Sequence, residues 1–570
     1  MIAPRARPLL FGVALLPWVA ALISCWPLLV SGFPRGHDWP FELVRVAEYQ
    51  AALLSGQLPP AWAENLYGGY GSPVFLFYAP LFAAGASLCG WLLGSVAGGA
   101  SACLILLTAI SVWTARGMLS AAASAGAPGR EAAPGAVSAA RMGVCVLVLH
   151  PYLLGDKLLR NANSEFAALC LIPLVLWGVL CADSRPRRAF ALLSGGLAFS
   201  ILAHNLMALV AIGLALAAAL IVYLSPRRPG VVWIVAGGIG FGLALAGFFW
   251  IPALALLTEV RSEELLQGKF DFHHQFKPLV SMFGYGEFFA SGWLTPAALL
   301  FAVFAALRRR RPSARASRLL AGCLIAAFLF IFLLSPASSW LWETAPFLPL
   351  FQFPWRMAGP LALVAALAST LGATSLLSGA SDRRRALAEV VVFALCVANA
   401  WPQLSRYAAL SPEYRARPET WLAPETIRSG RQSVTVGDEY LPRGASPRVW
   451  LEERPRQGPI VAISDAADAR IEEDRGTRMV FFVRSESGSR LRLARWSFPG
   501  WRMRLDGVPA EISSGTLGSI ELEVPAGETR VELVYRPPRV RTIALVSSGL
   551  AFLLWIALLR FWPTRLPSPR

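Results

Sequence analysis

A dozen apolar runs of about the length that crosses a lipid bilayer dominate the chain. They fall at roughly 8–30, 97–118, 139–155, 164–182, 189–204, 205–224, 231–254, 292–307, 317–335, 356–378, 386–402 and 541–562. A helix needs about 20 apolar residues to cross the hydrocarbon core. Inside lipid every backbone N–H and C=O must find a partner within the protein, so such runs fold as packed helices. The charged fraction is 15% and the mean hydropathy +0.52, against about a quarter charged residues in soluble domains. The chain therefore reads as a polytopic α-helical membrane protein. Its first run is too long for a secretory signal and lacks a small-residue cleavage site, so it reads as a span that stays.

Charge placement sets the expected topology. The formal charge is +17, and the excess sits in short connections between apolar runs. Examples are Arg185, Arg187 and Arg188, then Arg308 to Arg311, and Arg383 to Arg385. Those connections and the two ends hold 22 arginines against three acids, Glu131, Asp183 and Asp382. Basic residues accumulate in cytoplasmic loops, so the charge needs no nucleic-acid partner. One further apolar stretch, 74–94, would reverse this order if it crossed. It is expected to be interfacial or re-entrant, which leaves about twelve spans with both termini cytoplasmic. Residues 31–96, 156–163, 258–291, 336–355 and 403–540 then lie outside. The expected setting is the inner (plasma) membrane of a cell, with the large C-terminal region external.

Three parts follow. Residues 1–402 form a transmembrane domain. Residues 403–540 form an external region, irregular to about 445 and then alternating in short apolar-polar runs such as RVWLEE, RMVFFVRS, RLRLARW and RVELVYR. That period, with Asp506-Gly507 and Ala526-Gly527 as turns, predicts an antiparallel β-sandwich. Residues 541–570 supply a last span and a basic tail. All eight cysteines precede this β region and match no zinc spacing. Trp496, Trp501 and Tyr535 suit packing between sheets better than a sugar-binding surface.

The stretch 36–80 is unusually rich in acids, aromatics and turn formers for a connection between spans. Asp38, Glu42, Arg45 and Tyr49 recur at helical spacing, with Leu43, Val44, Ala47, Ala51 and Leu54 opposite. This predicts a helix lying on the membrane surface with a polar edge. Glu165 opens a span on the same expected side. Acids at membrane depth tend to be functional, and two carboxylates from separate loops can share general-base work or hold a divalent cation. Lys157, Arg160 and Arg356 gather at this face as candidate phosphate clamps, a role that suits arginine's planar fork. His204 and Asn205 form either a polar turn or a hydrogen-bonding pair lining a cavity.

Together GHDWPFELVR, SGQLPPAWAENLYGGYGSPVFLFYAPL, LLRNANSEFAAL, AHNLMAL, FFWIPAL and FQFPWR resemble GT-C membrane glycosyltransferases. The likeness is nearest to bacterial 6-pyruvoyl-tetrahydropterin synthase-related membrane proteins, and looser to YfhO-like proteins. It implies sugar transfer from a polyprenyl-phosphate donor to an acceptor glycan, lipid or protein at the outer face. Asp38 would be the base that activates the acceptor, or would hold it, and Glu165 would assist by position or through a metal. Arg356, Arg160, Lys157 and His204 would hold the donor phosphate, and His37, Trp39, Glu42, Arg45 and Tyr70 the acceptor. A divalent cation, Mg or Mn, would sit on Asp38 and Glu165 if anywhere. NSE replaces the usual pair of acids in the second loop, so Glu165 lacks its acidic neighbour. The competing classes are a transporter or lipid flippase, which needs polar groups deep in several spans, and a non-catalytic polysaccharide-assembly protein.

Overall fold

Proline, glycine and small polar caps set most of the helix boundaries in the computed structural model of the chain. It describes residues 12–562 apart from 126–131, 225–228, 285–286, 288, 309–312, 410–418, 430–433, 436, 447–457 and 516. The helices are α1 Leu16–Ser31, α2 Trp39–Leu54, α3 Leu81–Leu93, α4 Val96–Ala123, α5 Pro134–Val148, α6 Asn163–Leu180, α7 Pro186–Ala203, α8 Asn205–Tyr223, α9 Pro229–Leu245, α10 Gly247–Ala255, α11 Leu294–Arg308, α12 Ala314–Leu334, α13 Ala358–Leu376, α14 Asp382–Ala409 and α15 Arg539–Arg560. Ser95 caps α4 by accepting from Gly98 N, and Ser313 caps α12 by accepting from Ala316 N.

Among the described residues seven helices are long and apolar enough to cross a membrane singly, and nine spans result if two bent pairs count as one each. One pair is α5 with the segment 151–160, bent by 43° at His150-Pro151; the other is α9 with α10, bent by 69°. Three of the twelve expected spans fall outside these nine. α1 and α11 are short, and α7 carries Arg187 and Arg188 in its first turn. The stretch 74–94 contributes only the 13-residue α3, about 20 Å long and short of the roughly 30 Å hydrocarbon core. α6 lies at the centre of the bundle, every residue of it buried, and packs on α4 and α7.

Nine strands between 460 and 535 form two antiparallel sheets. The first runs β1(Ile460–Ala462), β4(Ser489–Trp496), β8(Ser519–Val524), β7(Ser513–Ser514). The second runs β2(Ala467–Arg475), β3(Arg478–Ser485), β9(Gly527–Tyr535), β5(Trp501–Leu505), β6(Val508–Ala510). β9 alternates buried and part-exposed residues, which leaves Val531, Leu533 and Tyr535 inside. The expected strand RVWLEE lies outside the described residues.

The β domain sits on the segment that joins α2 to α3. Trp62, fully buried, packs with Phe498, Trp501 and Tyr535 at centroid distances of 5.0–6.1 Å. Arg495 is also fully buried; it donates to Gly69 O at 2.9 Å and pairs with Asp474. Trp496, Trp501 and Tyr535 are therefore packing residues. Behind the domain, α15 returns along α9 and α10, where Ser548 Oγ bonds Ala244 O at 2.8 Å.

The helix expected on the membrane surface over 41–54, with its polar edge beginning at Asp38, is covered on that edge. Leu43, Val44 and Val46 are buried on one side of α2, and Glu42, Arg45, Glu48 and Tyr49 on the other. Residues 419–429, 434–435 and 437–445 cover its polar side. Trp421 meets Trp39 edge-on, Val434 O accepts from Arg45, and Tyr440 stacks on Phe77. α2 is thus an element of the protein interior, with an apolar side and a buried polar side.

Candidate functional site

Backbone pairing brings the two acid-bearing segments together. His37 N donates to Leu159 O at 3.0 Å and Asp38 N to Arg160 O at 2.9 Å. Gly36 N donates to Asn161 Oδ1 at 2.6 Å. A Cβ on residue 36 would lie 2.3 Å from that Oδ1 and 2.4 Å from Leu159 O, so only glycine allows the approach. Asn161 turns the chain into α6 with a φ of 61°, a conformation in which Asn is enriched.

Asp38 occupies the N-cap position of α2, but its carboxylate accepts no capping hydrogen bond. Among the described residues the carboxylate makes no hydrogen bond or ion pair, and the residue is half-buried. Burial raises its pKa above the ordinary 3.8, and Arg160, Arg45, His37 and Arg356 pull it partly back. The result is an acid with unused acceptor capacity, facing several cations.

Glu165, by contrast, is saturated. Its Oε1 accepts from Tyr152 OH at 2.6 Å; its Oε2 accepts from Arg160 Nη2 at 2.9 Å and from Arg356 Nε at 3.1 Å. Arg160 also pairs with Asp156 at 2.6 Å and lies over the Trp355 ring. Arg356 Nη1 is held by Phe351 O and Gln352 Oε1, which leaves Nη2 without a hydrogen bond among the described residues. A second cluster adjoins this one. Glu42 pairs with Arg45 at 2.5 Å and contacts Asn163 Nδ2 and Tyr78 OH at 3.4 Å each, while the Arg45 guanidinium lies over the Tyr78 ring. Burial raises the Glu42 pKa, and Arg45 opposes it.

His204 ends α7 and caps α8, accepting from Met207 N, and lies within the electrostatic reach of Arg356, Glu165 and Arg160. His37 is exposed beside Asp38, and Trp39 packs under Trp421. Two expected site residues lie elsewhere. Lys157 points into the helix bundle, where its ammonium sits 2.6 Å from Ser24 Oγ and 3.3 Å from Thr108 Oγ1. Tyr70 packs 4.4 Å from the Trp496 ring, against the β domain. In the loop 258–291, His273 pairs with Asp271 and Glu343 rather than with this cluster.

Tyr78, Tyr152, Asp156 and Asn163 join the site without having been singled out in the sequence. Only Asp156 left a signal there, four residues before Arg160 in the spacing of a helical ion pair. Buried Asp156 Oδ2 and Asn163 Oδ1 have no hydrogen-bond partner, so the cluster keeps acceptor capacity near its centre. A divalent cation does not fit the proposed pair. Both Glu165 oxygens are already taken, Oε1 by Tyr152 and Oε2 by two guanidinium groups, and among the described residues no three His, Cys, Asp or Glu side chains converge as a metal site.

Residues 135–407, just under half of the chain, match the family model of the 6-pyruvoyl-tetrahydropterin synthase related domain, described as a membrane protein. The match includes Arg160, Glu165, His204 and Arg356 and begins after Asp38. No curated protein matches the sequence. Solved structures resemble the chain at low identity, with TM-scores below 0.5. One is arabinofuranosyltransferase AftD from Mycobacteria, with 22% identity and a TM-score of 0.46 over 72% of this chain and 28% of that one. Another is the Archaeoglobus fulgidus oligosaccharyltransferase, with 13% identity and a TM-score of 0.42 over 76% and 61%. AglB from the same organism, solved with an inhibitory peptide and a dolichol-phosphate, gives 15% and 0.38 over 76% and 61%. The chain thus spans less than a third of AftD and about three fifths of the archaeal enzymes.

Proposed function

We propose that this protein transfers a sugar from a polyprenyl-phosphate-linked donor to a hydroxyl-bearing acceptor at the outer face of the inner membrane. The observation that carries this reading is the Asp38 carboxylate, unbonded at a helix N-cap and pinned through its backbone to the loop of Arg160. A raised pKa makes Asp38 a stronger base than a solvated aspartate. It takes the acceptor hydroxyl proton as the acceptor oxygen bonds to the anomeric carbon. The bond from that carbon to the lipid phosphate breaks, and its electron pair leaves on the phosphate oxygen. Arg356, through its uncommitted Nη2, stabilises the charge that develops there. Glu165 is a positioning residue: it holds Arg160 and Arg356 in place and does not touch the reacting atoms. No step uses Lys157 or a metal ion.

The test is Asp38→Asn. Asn caps helices as well as Asp, and Asp38 makes no side-chain cap here, so folding is preserved. Loss of a general base lowers the rate by about 10²- to 10⁴-fold. The readout is mass spectrometry of envelope glycans and lipid-linked sugars in a strain relying on the variant, with Glu343→Gln, an exposed acid on another outer loop, as the control. Wild-type product from Asp38→Asn at equal protein level refutes the assignment.

A further inference from the structure

A cavity of about 520 Å³ lies at the far end of α6 from the candidate site, between the ends of α4, α6, α7 and α12. Fifteen residues of helix separate Glu165 from Leu180, or about 22 Å. Its walls include Trp113, Arg116, Trp177, Arg185, Arg188 and Arg315. Among the described residues Arg315 alone of these is neutralised: it meets Asp183 at 2.5 Å and Leu180 O at 2.8 Å, while its buried Nε has no partner there. Arg116, Arg185 and Arg188 are exposed and make no ion pair among the described residues.

The aromatic wall is built rather than incidental. The Arg188 guanidinium carbon lies over Trp177, 4.4 Å from the ring centroid. Trp113, half-exposed, meets Trp177 edge-on at 5.4 Å. A Cβ at Gly117 would lie 2.2 Å from the Trp177 ring, so a glycine lets α4 close on that ring. Uncompensated arginines beside an apolar, tryptophan-rich wall at the end of a span suit a group with a phosphate and an acyl chain.

We propose that this cavity binds the phosphate of an anionic membrane lipid headgroup, on the side of the membrane opposite the candidate active site. Arg116, Arg185 and Arg188 hold the phosphate, and the Trp113–Trp177 wall takes the start of the acyl chains. The site stands apart from glycosyl transfer and does not depend on it.

Native mass spectrometry of the full-length protein, titrated in detergent with dioctanoyl phosphatidylglycerol, tests this. Dioctanoyl phosphatidylcholine, glycerol phosphate and inorganic phosphate form the other arms. The expected result is a phosphatidylglycerol adduct weakened about fivefold per arginine removed, so by roughly 25-fold in Arg116→Gln/Arg188→Gln. Arg187→Gln, outside the cavity, is expected to bind as the wild type does. Both substituted arginines are exposed, so the variant folds, and an unchanged melting profile checks this. Binding of glycerol phosphate with the same dependence on the arginines supports the phosphate site but overturns the lipid as its source. Equal retention of phosphatidylglycerol by the double variant and the wild type, or no preference over phosphatidylcholine, overturns the site.

Discussion

Glu165→Gln probes the central claim that one carboxylate organises the cationic half of the site. Glu165 is 1% exposed and accepts three hydrogen bonds, two of them from arginines. Gln keeps the shape but removes the charge, and its amide presents a donor where it must face a donor. Arg160 then keeps only Asp156 as an ionic partner, and Arg356 keeps only neutral acceptors. Leaving a buried charge uncompensated costs about 3–5 kcal/mol. The exposed edge of Arg356 sets the expectation at the lower end, about 3 kcal/mol. Thermal unfolding of the detergent-solubilised protein, followed by size-exclusion fluorescence, measures the loss. The cycle with Arg356→Gln isolates the pair, and residues sharing one network couple by about 0.5–3 kcal/mol. A Glu165→Gln protein as stable as wild type, or a coupling near zero, would refute the network as drawn.

Other consequences are equally open to measurement. Burial raises the Glu48 pKa to about 7 while its carboxylate accepts from Asn65 N and Nδ2. The folded state thus binds the proton more tightly than the unfolded one. That stability is full below about 4.5 and lost as pH rises through about 7, by up to about 3 kcal/mol. Melting curves from pH 5 to 9 should show the decline, and Glu48→Gln should flatten it. Trp62→Ala removes the ring that seats the β domain, at a cost of about 3–5 kcal/mol. Limited proteolysis should then cut near 536–540 first, and an unchanged cleavage pattern would contradict that seating. Reporters inserted at 125 and 380 are expected on the cytoplasmic side and those at 345 and 465 outside; an external 125 would mean that residues 74–94 cross the membrane.

Sequence alone settled the solvent of most of this chain. Long apolar runs cannot be placed in water, and their composition needs no knowledge of neighbours. It also settled the strands from 478 to 535, because period-two alternation records two differently solvated faces. Asp38, Glu165, Arg160 and Arg356 were legible as a group, since charges are expensive at membrane depth and stand out against their surroundings. What covers each face was not legible. The polar stripe of α2 looked like a wet edge, and in the folded protein Trp421, Val434 and Tyr440 close over that side of the chain, some 390 residues away in the case of Arg45 and Val434. Lys157 and Arg160 are three residues apart, yet one points to Ser24 and Thr108 and the other to Glu165, because the turn at 155–160 fans them apart. The open carboxylate of Asp38 and the closed one of Glu165 are the same chemistry in sequence. Only the packed structure decides which has its lone pairs spent, because hydrogen-bond satisfaction depends on neighbours that the chain supplies from elsewhere.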